Sequence, residues 1–194
     1  MALAANRLFQ GDDGTCHAED AEAEAEDAEA EADVDTEAGI TLTREAPFRA
    51  LASSPEETRQ IGHMLGALLK PGDCVFLYGD VGAGKTVFTA GMASALGIGG
   101  NITSPTFTIA NTYDGSIALY HFDAYRIESP DELVETGFFD YIGGDCVVAI
   151  EWAERLGGYV PDGCALVWIG RAGGCDTQRE IKIEFAGKRN HDNG

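Results

Sequence analysis

The stretch "DCVFLYGDVGAGKT", residues 73–86, constrains this chain more than any other. "CVFLY" is a continuous apolar run, the pattern of a strand covered on both faces. "KTVFTAGMASALGI" then reads as a helix that ends at Gly97. Between them lies a glycine-rich turn in which Gly79, Gly84, Lys85 and Thr86 match G-x-x-x-x-G-K-[ST] without a mismatch. Gly82 and Gly84 open dihedrals closed to other residues. The loop amides can then converge as an anion nest on the positive end of the following helix. Gly79, Asp80, Val81, Gly82, Ala83, Gly84, Lys85 and Thr86 are therefore expected to wrap the phosphates of a nucleoside triphosphate. Lys85 would reach the β- and γ-phosphates in a catalytic role, and Thr86 would offer its hydroxyl to Mg²⁺.

The remaining folded part is expected to start near Ile40 with short strand-like pieces in "ITLTREAPFRALA". Ser54, Pro55 and Glu57 have the spacing of a capped helix start. Ile61, Met64, Leu65, Leu68 and Leu69 then share one helical face, and Pro71-Gly72 breaks the pattern. "IALYHF" (117–122) and "CVVAI" (146–150) read as buried strands, and "SPDELVETGFF" (129–139) as a helix. "CALVWIG" and "EIKIEF" alternate as strands able to pair near the C-terminus. Strands that alternate with helices and then follow one another predict an α/β protein. The expectation is a P-loop NTPase-like three-layer fold, with a mostly parallel, mixed central sheet flanked by helices. There is no internal repeat.

The net charge of -20 is unevenly spread. Residues 1–39 carry 13 acidic residues and one Arg; the other 155 residues carry 20 acidic and 12 basic. The Ala/Glu/Asp stretch repels itself and buries little, so 1–39 is expected to be a disordered, solubilising tail. A partner-binding or nucleic-acid-mimicking arm is its other reading. Residues 40–187 form the expected ATPase domain, and 188–194 a flexible C-terminus. An acidic body without clustered Lys and Arg does not grip a polyanion over a broad face. The five cysteines are odd in number and include no CxxC pair, which argues against a disulfide framework or a zinc site. No apolar run of about 18 residues exists, so no membrane span is expected. No signal-peptide layout opens the sequence. A cytoplasmic protein is the expectation.

A second acidic group should stand at a strand end to hold the ion. Glu151 follows the apolar run "CVVAI", and Asp123 ends "LYHFD". One could hold the ion while the other orients water; spacing alone does not assign them. Ser104 and Thr106 in "NITSPTFT" lie in a hydroxyl-rich loop placed to sense a γ-phosphate. His121 and Trp152 read as packing residues. Guanine readers carry an [N/T]KxD segment, absent here, which leaves ATP as the nucleotide. A small-molecule P-loop kinase is the alternative, weakened by few and scattered arginines where a kinase lid would need them.

Together "LYGDVGAGKT", "TSPTFT", "YHFDAYRI", "PDELVETGFFDYI" and "VVAIEWAERLGGYVPD" resemble, in order, the TsaE family of bacterial tRNA threonylcarbamoyladenosine biosynthesis proteins. The resemblance covers roughly residues 50–184 and omits the acidic tail. It implies an ATPase subunit, slow alone and stimulated by partners: a TsaD-like transferase and a TsaB-like subunit. Together they make N6-threonylcarbamoyladenosine beside the anticodon of tRNAs that read codons starting with A, so tRNA is met only through the complex. It implies Mg²⁺ ligation by Thr86 and Glu151, water orientation by Asp123, and a nucleotide switch at Ser104, Pro105 and Thr106. It also implies that residues near 176–179 approach the nucleotide. A positive charge near the γ-phosphate is expected from Arg126 or, in trans, from a partner.

Overall fold

The computed structural model describes residues 34–35, 41–106, 108–173 and 177–187. The acidic-tail reading over 1–39 therefore lies outside the described residues, apart from 34–35, as does the C-terminal segment 188–194. In chain order the strands are β1 (Val34–Asp35), β2 (Thr41–Leu42), β3 (Phe48–Ala52), β4 (Cys74–Tyr78), β5 (Ala110–Tyr113), β6 (Ala118–Asp123), β7 (Cys146–Glu151), β8 (Ala165–Arg171) and β9 (Arg179–Phe185). The helices are α1 (Pro55–Leu68), α2 (Lys85–Ala95), α3 (Pro130–Glu135) and α4 (Phe138–Tyr141), with a 3₁₀ turn at Ala153–Leu156.

Seven strands form one sheet in the order β3-β9-β8-β4-β7-β6-β5, while β1 and β2 pair separately. β8, β4, β7 and β6 run parallel; β9 and β5 flank them antiparallel, and β3 pairs antiparallel with β9 at the edge. After β4 the chain crosses to the edge strand β5, turns back as β6, inserts β7 beside β4, and then passes to the far side of β4 as β8. The loop after β4 thus stands where the strand order reverses, the crevice that α/β sheets use for ligands.

The first helix forms as its sequence predicts, with one change at its cap. The Ser54 hydroxyl accepts from the Glu57 amide at 3.2 Å, but the Glu57 carboxylate accepts from the Ser53 amide at 2.7 Å, one residue before the expected position. Ile61, Met64, Leu65, Leu68 and Leu69 are all buried. They pack with Phe88 and Met92 of α2 against Val75, Leu77, Val147 and Val167 of the sheet. The two helices meet backbone to backbone: a Cβ at Gly62 would stand 2.2 Å from the Phe88 carbonyl oxygen, and one at Gly91 1.9 Å from that of Arg59.

The other face is covered by shorter pieces. Phe76, Phe122, Val148 and Ile150 pack there under Phe138 of α4 and Leu156 of the 3₁₀ turn. The helix expected over 129–139 is split in two, because Gly137 adopts a left-handed φ of 73°. β5, with its half-exposed "ANTY", is a strand that sequence periodicity does not reveal.

Candidate active site

Loop 79–86 has the backbone its glycines permit. Gly79, Gly82 and Gly84 have φ of 139°, 73° and 109°, and Gly84 caps α2 in the left-handed region. Gly79 is also held by space: a Cβ there would meet the Ile169 carbonyl oxygen at 2.2 Å. The loop lines a cavity of about 480 Å³ together with Thr86, Ser104, Thr106, Asp123, Glu151 and Trp152. A volume of that size suits a small-molecule ligand.

The sheet register brings the two expected carboxylates side by side. Asp123 of β6 is the direct neighbour of Glu151 of β7, and Glu151 also faces Leu77 of β4. Both acids are only 4% exposed. Their partners differ. Glu151 Oε1 accepts from the Thr86 hydroxyl at 2.9 Å and contacts His121 Nε2 at 3.0 Å. Asp123 Oδ2 accepts from the hydroxyls of Ser104 at 2.9 Å and Thr106 at 2.5 Å, while its Oδ1 accepts from the Tyr125 amide at 2.8 Å.

Lys85 is buried at the start of α2. Its Nζ donates to the carbonyls of Gly79 at 2.5 Å and Asp80 at 3.0 Å, and lies 3.9 Å from the centre of the Trp152 ring. Burial draws its pKa below the ordinary lysine value; Glu151, Glu154, Asp123 and Asp80 oppose that shift without reversing it. An arriving anion would restore the ammonium's preference for its charge.

The oxygen donors of Thr86 and Glu151 fit a hard divalent ion such as Mg²⁺. The hydroxyl and the carboxylate already touch, across 65 positions of sequence. A glycine loop that caps α2 in the left-handed region, with Lys85 at its end, fits polyphosphate. Lys85, Thr86, Ser104, Thr106, Asp123 and Glu151 thus meet at one cavity, and Gly79–Thr86 form the loop that borders it; residue 176 of the expected 176–179 segment lies outside the described residues. Arg126 does not line that cavity: it lines a separate cleft with Thr108, Glu132 and Glu135, so the cis version of the extra positive charge is not placed at this site. Arg179 contacts the loop itself, donating to the carbonyls of Ala83 at 2.8 Å and Gly82 at 3.2 Å.

Two residues read from sequence as packing residues also touch the site. Trp152, at a left-handed φ of 62°, lies against both Lys85 and Tyr125. His121 contacts Glu151 and leaves its Nδ1 buried without a partner. The i, i+2 spacing of "HFD" could have signalled it, since alternation puts His121 and Asp123 on the same face of β6.

A parallel core, a glycine loop at its crossover point leading into a helix, and a neighbouring strand-end carboxylate bonded to that helix's first hydroxyl define an α/β protein of the P-loop type. The family model described as "Threonylcarbamoyl adenosine biosynthesis protein TsaE" matches residues 52–181. The chain belongs to this family. It is 44% identical over 137 residues to the tRNA threonylcarbamoyladenosine biosynthesis protein TsaE of Bacillus subtilis, covering 70% of this chain and 84% of that one. Its similarity to the protein of the same description from Treponema pallidum is 40% over 136 residues, covering 70% of this chain and 99% of the relative. The crystal structure of Bacillus subtilis YdiB superposes with a TM-score of 0.58 at 39% identity, covering 74% of this chain and 88% of that one. Among the described residues, no helix is long and apolar enough to cross a membrane.

Proposed function

We propose that this chain binds and hydrolyses ATP with Mg²⁺, and that its turnover serves N6-threonylcarbamoyladenosine formation in tRNA through TsaD-like and TsaB-like partners. The observation that carries the ATPase reading is the 2.9 Å bond from Thr86 to Glu151, which joins the glycine loop to a strand-end carboxylate. Family membership supports the tRNA pathway, since the relatives carry that description.

The loop amides and Lys85 would hold the phosphates, with Lys85 exchanging its contacts to Gly79 and Asp80 for phosphate oxygens. Thr86 and Glu151 would hold the ion, which when bound neutralises charge on the transferring phosphoryl group. Asp123 would accept a hydrogen bond from the attacking water, and Ser104 and Thr106 fix its orientation. The acidic body suits a subunit that reaches tRNA through others.

The test is ATP turnover by the purified chain, alone and with its TsaB-like and TsaD-like partners. Slow turnover alone, a several-fold rise with the partners, and loss in Lys85→Ala are expected. Label from the γ-phosphate appearing on a small acceptor rather than on water would replace this reading with a kinase.

A further inference from the structure

We infer that His121 is a positioning residue for Glu151, holding that carboxylate in place to ligate the divalent ion; this rests on the function proposed above. The imidazole is fully buried in the sheet, with 0% exposure. Among the described residues its one hydrogen bond runs from Nε2 to Glu151 Oε1 at 3.0 Å. A carboxylate oxygen only accepts, so Nε2 carries the hydrogen of this bond. Among the described residues Nδ1 is the one buried side-chain nitrogen or oxygen without a partner.

That arrangement is poor as packing. A buried polar atom without a partner costs free energy, and an apolar ring of similar size would fill the same slot without that cost. The ring's polar content is directed at one group, the carboxylate that also receives Thr86. Both donors grip the same oxygen, Oε1, which leaves Oε2 outside that grip. Donors behind a ligating carboxylate fix its orientation, and their removal typically costs 10-fold or more in metal affinity. The strand register supplies the geometry: His121 pairs with Ala149, two positions along the ladder from the Asp123–Glu151 pair and on the same face of the sheet.

The experiment titrates Mg²⁺ into the full chain with a fluorescent ATP analogue and reads analogue binding, with turnover and melting temperature followed in parallel. His121→Phe keeps the ring and removes the donor. It is expected to raise the Mg²⁺ concentration at half-saturation by about tenfold, while binding in chelator stays within about twofold of wild type. His121→Gln, whose amide nitrogen reaches near the Nε2 position, is expected to recover most of that loss. If His121→Phe fails to fold, His121→Met makes the same comparison. An unchanged Mg²⁺ midpoint in the donor-free variant overturns the inference, as does a His121→Gln variant no better than His121→Phe. Equal analogue binding by wild type and Lys85→Ala breaks the nucleotide reading itself, and this inference with it.

Discussion

Glu151 and Asp123 end neighbouring strands, carry the same charge and are equally buried, yet their surroundings divide them. Glu151 is fixed from within, by the first helical hydroxyl after the glycine loop and by a histidine inside the sheet. Asp123 is fixed from without, by two hydroxyls of a polar connection and the amide of exposed Tyr125. A carboxylate tied to rigid elements suits an ion that must be held in one place. A carboxylate tied to a loop can follow that loop as it rearranges. The sequence shows two interchangeable acids; the hydrogen bonds separate their surroundings, and the roles proposed for them rest on that difference.

The comparison breaks most visibly through the acids themselves. Glu151→Gln is expected to lower partner-stimulated turnover about a thousandfold and to remove the Mg²⁺ dependence of nucleotide binding. Asp123→Asn is expected to lower turnover about a hundredfold while nucleotide affinity stays within about threefold. Equal loss of Mg²⁺ response in both variants would erase the distinction. Thr106→Val keeps the shape and removes one of the two hydroxyl donors. About a tenfold fall in turnover is expected, with an unchanged Mg²⁺ midpoint, because a hydrogen bond to a charged group is worth about 1.5–3 kcal/mol. An altered midpoint would join the loop to the ion site rather than to water.

The smallest effect concerns pH. Burial lowers the Lys85 pKa in the free protein, and bound phosphate would raise it again. Nucleotide affinity should therefore fall as pH rises through the free-protein value, at a lower pH than the 10.5 of an ordinary lysine. Fluorescence titrations across the alkaline range check this, and Lys85→Arg should move the fall beyond that range.

The loop, the helix it opens and the two strand-end acids are legible in the sequence because each is a local pattern. Five apolar residues and a glycine loop carry their own geometry. What is not legible depends on register. Nothing in "LYHFD" alone states that Asp123 pairs with Glu151, or that His121 lands beside a carboxylate 30 residues away. β5 escapes because its "ANTY" faces solvent on one side and lies at an edge, with little apolar contrast. The break at Gly137 escapes because its flanks read as helix on both sides. Arg126, one of the two sources expected for an extra positive charge, lines a separate cleft with Thr108, Glu132 and Glu135, a placement that its position in the sequence does not state.

Among the described residues the edge strand β3 has one partner in the sheet, β9, the last strand in chain order. As the ribosome releases the chain, β3 emerges early and then waits for the segment that will receive it. At roughly 5–20 residues per second, that wait lasts on the order of ten seconds. During it the outward-facing Leu51 and the strand's unpaired amides stand open to any other nascent chain, and a message cut short before Arg179 would leave them so for good.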